Sequence, residues 1–226
     1  MKKFLKIIGI IIGSIVALLI LIGIVVFGGS YLLDAKKEAE NPIYPPDKTW
    51  TFAAEFYNSA NKLTRTDTLK LKTINQRFML TQNKIKWILK SNNKISEETT
   101  GIIENEKRLW IHPPRFDDYF EFTEYSAFPE VRRPISINNK WGTQLVLGTY
   151  ANEETGNMMT VEYSITDIDT ININPTIKNV EILGKGKSGL GTYTCKMDFH
   201  DNKGFTKLTY LKENNKKLVI HLVDER

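Results

Sequence analysis

Hydrophobic and polar positions follow three regimes along the chain. From Ile7 to Leu33, 27 consecutive positions carry no charge. As an α-helix this run would be about 40 Å long, against roughly 30 Å for the hydrocarbon core of a bilayer, so it predicts one transmembrane helix. Residues 34–47 change character. Asp34-Ala-Lys-Lys-Glu-Ala-Glu40 is nearly balanced in charge, and Asn41-Pro-Ile-Tyr-Pro-Pro-Asp47 places three prolines in seven positions. Such proline density favours extended polyproline geometry and predicts a short stiff spacer.

Beyond residue 47 the pattern has period two. Trp50, Phe52, Ala54 and Phe56 alternate on one face, and Ile85, Trp87 and Leu89 alternate against Lys84, Lys86 and Lys90. Met159, Val161, Tyr163 and Ile165 alternate against Thr160, Glu162, Ser164 and Thr166. Alternation rich in β-branched and aromatic residues is the signature of half-buried strands. The C-terminus is clearest: Tyr193, Cys195, Met197 and Phe199 share a face, Asp201-Asn-Lys-Gly204 turns, Phe205 to Lys212 extends, Glu213 to Lys217 turns, and Leu218 to Val223 closes. These stretches predict a three-stranded antiparallel meander. No window of the body shows a long 3.6-residue period bounded by helix caps.

The predicted fold class is all-β, a mainly antiparallel barrel, half-barrel or sandwich, preceded by one N-terminal transmembrane helix. The predicted organisation is 1–33 as a basic cytoplasmic tip and membrane helix, 34–47 as a juxtamembrane proline-rich linker, and 48–226 as an extracytoplasmic β-rich domain. The last portion, roughly 180 residues, suffices for one domain with a proper core.

Charge fixes the orientation. Lys2, Lys3 and Lys6 precede the apolar run, and the positive-inside rule keeps them in the cytoplasm, with the body outside. This predicts a single-pass protein of the cytoplasmic (inner) membrane. The alternative is secretion after signal cleavage at Gly28-Gly29-Ser30, although the run is longer than the usual signal-peptide core. Gly9, Gly13 and Ala17 repeat at four-residue spacing, which on a helix would let a second copy approach closely and form a homodimer. Removing the three N-terminal lysines from 31 basic residues leaves 28 against 26 acidic. That near balance is no footprint for nucleic acid.

The plan of anchor, proline linker and meandering strands ending in the Gly204-Phe205 hairpin resembles uncharacterised envelope proteins of bacteria. It is also similar to the half-barrels of the lipoprotein-carrier family. The likeness implies an extracytoplasmic β domain and carries no functional residues with it.

Several motifs reduce to ordinary structure. Gly184-Lys-Gly-Lys-Ser-Gly189 matches a dinucleotide fingerprint, but a strand-like stretch follows where the pyrophosphate would need a helix, so a flexible hairpin loop is predicted. Cys195, the only cysteine, alternates with core residues and is expected to be an inert buried thiol. His112, His200 and His221 lack metal-ligand spacing, and Asp167 to Asn174 lacks the glycine and bidentate glutamate of a calcium loop, so no metal and no cofactor is implied.

The segment Ile111 to Pro134 stands out. Six aromatics lie between Phe116 and Phe128, a quarter of the 24 in the chain, with prolines at both ends. Aromatics beside arginine are enriched at binding hot spots. Arg115, Phe116, Phe128, Arg132 and Arg133 are therefore the candidate binding residues, with Phe116 and Phe128 expected to be partly exposed. The structural alternative is a core strand with Phe120 and Phe122 inside. No catalytic constellation accompanies them. The reading is a membrane-anchored binding or assembly module meeting an envelope partner; the alternatives are lipid or apolar-ligand binding in a half-barrel, and an unrecognised envelope enzyme.

Overall fold

The computed structural model describes residues 14–18, 20–21, 39–79, 81–91, 94–146, 158–171, 177–189 and 191–226. Residues 14–18, 20 and 21, Ala17 among them, are helical and exposed. No helix among the described residues is long and apolar enough to cross a membrane. Most of the predicted membrane run lies outside the described residues, together with Gly9, Gly13, the Gly28-Gly29-Ser30 cleavage alternative and positions 34–38 of the linker. The chain divides into two compact units, Met1–Lys37 and Glu38–Arg226.

The second unit is all-β. Its strands are β1 (Thr49–Tyr57), β2 (Leu63–Met79), β3 (Gln82–Ser91), β4 (Lys94–Glu104), β5 (Arg108–Ile111), β6 (Glu130–Arg132), β7 (Lys140–Val146), β8 (Met158–Ile171), β9 (Ile177–Ser188), β10 (Gly191–His200), β11 (Gly204–Leu211) and β12 (Lys217–Glu225). Among the described residues of this unit one short helix, α1 (Asp117–Thr123), interrupts them between β5 and β6. All twelve strands join one antiparallel sheet in the order β6-β5-β4-β3-β2-β1-β12-β11-β10-β9-β8-β7. The first and last strands pair at the centre, Phe56 opposite Leu218, and two meanders run outward from them.

A single sheet with two edges is neither a sandwich nor a closed barrel. It is strongly curled. Nine strand intervals separate β5 from β8, about 43 Å if the sheet were flat at ~4.8 Å per interval. Yet Phe128 meets both strands: its ring centroid lies 5.9 Å from that of Trp110 on β5, and its carbonyl oxygen accepts a 3.0 Å hydrogen bond from Tyr163 of β8. The outermost strands approach as well, with the Arg132 guanidinium of β6 5.9 Å from the Trp141 ring of β7. Of the three predicted architectures, the open curled sheet matches the half-barrel.

The expected alternations hold. Trp50, Phe52, Ala54 and Phe56 are buried, as are Ile85, Trp87 and Leu89, then Met159, Val161, Tyr163 and Ile165, then Tyr193, Cys195, Met197 and Phe199. Each fully buried large apolar side chain contributes roughly 1.5–3 kcal/mol, and this face carries them on most of its strands. The C-terminal meander is β10, β11 and β12.

Three expectations need correction. The stretch from Gly184 to Ser188 is not a hairpin loop. It lies inside β9, paired with β10 through Gly184 opposite Cys195 and Gly186 opposite Tyr193. The proline-rich stretch is more than a spacer: Ile43 and Tyr44 are buried, the Tyr44 ring centroid lies 4.4 Å from that of Trp50, and both backbone N–H groups donate to the Glu104 carboxylate at 2.7 and 3.0 Å. Finally, the predicted core strand within residues 111–134 is a helix flanked by extended chain.

Candidate functional site

The concave face of the sheet is covered by the chain's own crossover, residues 112–129. Prolines 113 and 114 hold its start extended, because proline cannot donate to a ladder and restricts the residue before it. The helix begins directly afterwards. Asp117 and Asp118 occupy its first turn, where negative charge is favoured, and Asp117 adopts a φ of 28°. Tyr119, Phe122 and Thr123 are buried, so the i, i+3, i+4 stripe faces the sheet. Phe120 falls off that stripe and is only half-buried. The period-two reading of Phe120 and Phe122 pairs two residues that a helix turns to different sides.

Side chains from four strands and from the turn after β11 grip the crossover. At its start, the His112 carbonyl accepts from the Trp87 indole at 2.9 Å. Glu98 of β4 then takes Arg115 twice, through the backbone N–H at 2.8 Å and Nε at 2.6 Å. On the helix, the Tyr119 hydroxyl donates to Asp67 at 3.1 Å, and Arg65 bridges Asp67 and Asp118 at 3.0 and 2.7 Å. Phe56 of β1 packs edge-on against Tyr119 and Phe122. From the other half of the sheet, Lys212 pairs with Glu121 at 2.7 Å and lies over the Phe122 ring.

The glycines of β9 make room for the end of the crossover. A Cβ on Gly184 would collide with the Cβ of Ala127, and one on Gly186 would sit 3.1 Å from the Tyr125 carbonyl oxygen. These glycines serve the close approach of the chain's own crossover.

The candidate residues are placed as follows. Phe116 and Phe128 are 9% and 5% exposed, which corrects the expectation of partly exposed contacts. The Phe116 ring joins the apolar core under the crossover, whereas the Phe128 ring packs beside Trp110 and His112, with centroids 5.9 and 4.8 Å away. Arg115 is bound to Glu98, Arg132 to Glu130 at 2.8 Å, and Arg133 approaches the Asn105 carbonyl at 3.5 Å. The three arginines thus fix the crossover and its exit to three different partners.

Glu124 and His112 are shifted titratable groups on the crossover itself. Burial pushes the Glu124 carboxyl up to about 7; the Arg115 charge opposes the shift and the Glu98 charge adds to it. Its Oε2 has no hydrogen-bond partner among the described residues. Burial holds His112 down at about 4. Cys195 is fully buried and its thiol is pushed well above the usual range by burial, in line with the expected inert role. No cluster of three or more metal-ligating side chains occurs among the described residues.

Open space lies at the rims. Where α1 meets the sheet, a cleft of about 270 Å³ is lined by Arg65, Asp67, Lys94, Ser96, Asp118 and Tyr119. A second, of about 370 Å³, opens between residues 39–46 and the far end of β2, near Glu104. A third, of about 510 Å³, lies over β7 to β9 beside Glu162 and Lys185. Sequence reading did not anticipate the rim cleft, since Arg65 and Asp67 lie about fifty positions before Asp118.

The fold and this site define a class: an open antiparallel sheet curled around its own crossover segment. No protein-family model matches the chain, and no curated protein matches it in sequence. Among solved structures it is similar to a candidate exported protein with a YmcC-like fold from Bacteroides fragilis, at 9% identity and a TM-score of 0.44, over 80% of this chain and 96% of that one. It is also similar to a candidate lipoprotein from Parabacteroides distasonis, at 9% identity and a TM-score of 0.43, over 81% of this chain and 96% of that one.

Proposed function

We propose that the chain is a membrane-anchored, extracytoplasmic binding or assembly module that meets its partner at the rim where α1 joins the sheet. The observation that carries this reading is the crossover itself. The trough that would otherwise take a ligand is occupied by Phe116, Tyr119, Phe122 and Ala127, all buried. Recognition is left to the surface, and the rim cleft offers exposed Asp117, Asp118 and Lys94 beside a half-exposed Arg65. Charged groups on a pre-ordered frame give orientation and specificity at low ordering cost. In this reading Arg115, Phe116, Phe128, Arg132 and Arg133 hold the rim in shape and do not themselves touch the partner.

The test is site-specific photo-crosslinking of the full chain in its own membrane. A photoreactive residue at Asp118 should give a discrete adduct, and one at Thr68, exposed on the outer face of β2, should not. Equal labelling from both positions, or none from 118, overturns the rim assignment.

A second reading is supported by the apolar floor beneath the crossover, formed by Trp50, Phe52, Leu69, Leu71 and Trp87. A lipid-like molecule displacing the crossover would find an apolar trough there. Native mass spectrometry of the protein from its own membranes decides it: a co-purifying lipid that protects the floor, with the crossover becoming accessible to protease, supports this reading over the first.

A further inference from the structure

We infer that the β2–β3 hairpin dips its tip into the outer leaflet of the membrane that holds the chain's own N-terminal run. The inference rests on the anchored reading above. Thr49, the first residue of β1, pairs with Lys72 of β2, and β2 continues seven residues further to Met79. The hairpin therefore projects about 20 Å past the start of β1. Its last five described positions on β2, Asn75 to Met79, are all exposed, and the tip carries two adjacent apolar side chains, Phe78 at 36% and Met79 at 59% exposure.

Single exposed apolar residues are ordinary on soluble surfaces. Three features set this pair apart. The first is charge. Between Asp67 and Glu97 the chain has seven basic residues and no acidic one; Lys72, Arg77 and Lys84 flank the tip, and Lys86 beyond them is paired with Glu97 of β4 at 2.7 Å. An apolar tip flanked on its own two strands by basic side chains is complementary to an anionic lipid surface, where basic groups meet headgroups and apolar ones enter the interface. The second is position. Ala39, Pro42, Tyr44 and Pro46 line one cleft with Thr73 to Arg77 and Asn83, so the chain enters the domain alongside the projecting hairpin. The third is reach. Only Asp34 to Glu38 separate Leu33 from Ala39, a span of at most about 21 Å when fully extended. The hairpin projects by a similar amount.

The consequence is a second contact of the chain with the membrane, made by the β domain at its hairpin tip. The opposite ends of the strands, and the rim cleft with them, then face away from the bilayer.

The test uses the full chain reconstituted into vesicles of equal parts phosphatidylglycerol and phosphatidylcholine. An environment-sensitive fluorophore is attached to Met79→Cys, with Leu63→Cys as the control; Leu63 is exposed at the opposite end of β2, and the native Cys195 is buried. Met79→Cys should show blue-shifted emission and lose it to lipids brominated on their acyl chains, and Leu63→Cys should show neither. The shift should weaken in pure phosphatidylcholine. If the chain floats with the vesicles and position 79 behaves like position 63, the hairpin inference is overturned and the anchor stands. If the chain does not float, the anchored reading fails and the inference falls with it.

Discussion

The hydroxyl of Tyr163 donates to the carbonyl oxygen of Phe128 across 3.0 Å, and both residues are buried. One belongs to β8 and the other to the crossover that follows β5, so this single bond spans the open side of the sheet. The two meanders are joined at the sheet centre by the β1–β12 pairing, and this bond ties them a second time at their far ends.

Tyr163→Phe keeps the ring stacked on Trp141, 5.1 Å away, and removes only the hydroxyl. The Phe128 carbonyl is then left unpaired in a buried place, at a cost of about 1–3 kcal/mol. The urea midpoint should fall while the far-ultraviolet spectrum keeps its β character. An unchanged midpoint would mean that this bond contributes nothing to closing the open side of the sheet.

Gly184→Ala places a methyl where Ala127 already sits. Overpacking of this kind costs typically about 1–3 kcal/mol. The double variant Gly184→Ala with Ala127→Gly restores the space and should recover much of the loss. A double variant no more stable than the sum of the two single changes would show that the glycine serves the strand and not the crossing chain.

The pH dependence carries two opposing signs. Glu124 is raised from 4.5 to about 7, so the folded state holds a proton that the unfolded chain releases. Its contribution is present below pH 4.5 and is lost as pH rises through 7, up to about 3 kcal/mol in all. Glu104 is raised in the same sense. His112 is lowered from 6.5 to about 4, so its contribution is present above 6.5 and is lost as pH falls through 4. Wild-type stability should therefore change little between pH 4.5 and 6.5 and decline from 6.5 to 7.5. Glu124→Gln should rise across the lower window and be flatter above it. Urea midpoints at a series of pH values check this, and superimposable profiles for the two proteins would exclude a protonated Glu124.

The period-two stretches were legible because each strand buries one face, and burial on one face writes itself into the sequence as alternation. The helix α1 was harder to read. Its stripe of Phe116, Tyr119 and Phe122–Thr123 is present, but seven residues give barely two turns, and the aromatics at 120 and 122 mimic a strand equally well. The long strand β2 escaped for a different reason: its inward positions include Asp67 and Thr73, polar residues that only their partners Tyr119, Arg65 and Lys48 make burial-compatible. Phe116 and Phe128 were assigned outward because proline marks a turn without stating its direction.

By itself, then, the sequence determined the apolar 27-residue run, the all-β class, the C-terminal meander and the burial of Cys195, since each rests on local periodicity or spacing. Tertiary structure alone decided that the strands form one open sheet, that its trough is filled by residues 112–129, and that Gly184 and Gly186 are a seat for that crossover. The physical reason is sequence separation. Phe128 and Tyr163, Asp118 and Arg65, and Ala127 and Gly184 are distant along the chain, and no local pattern records which distant face a buried side chain will meet. That is settled only when the sheet curls far enough to exclude water from both.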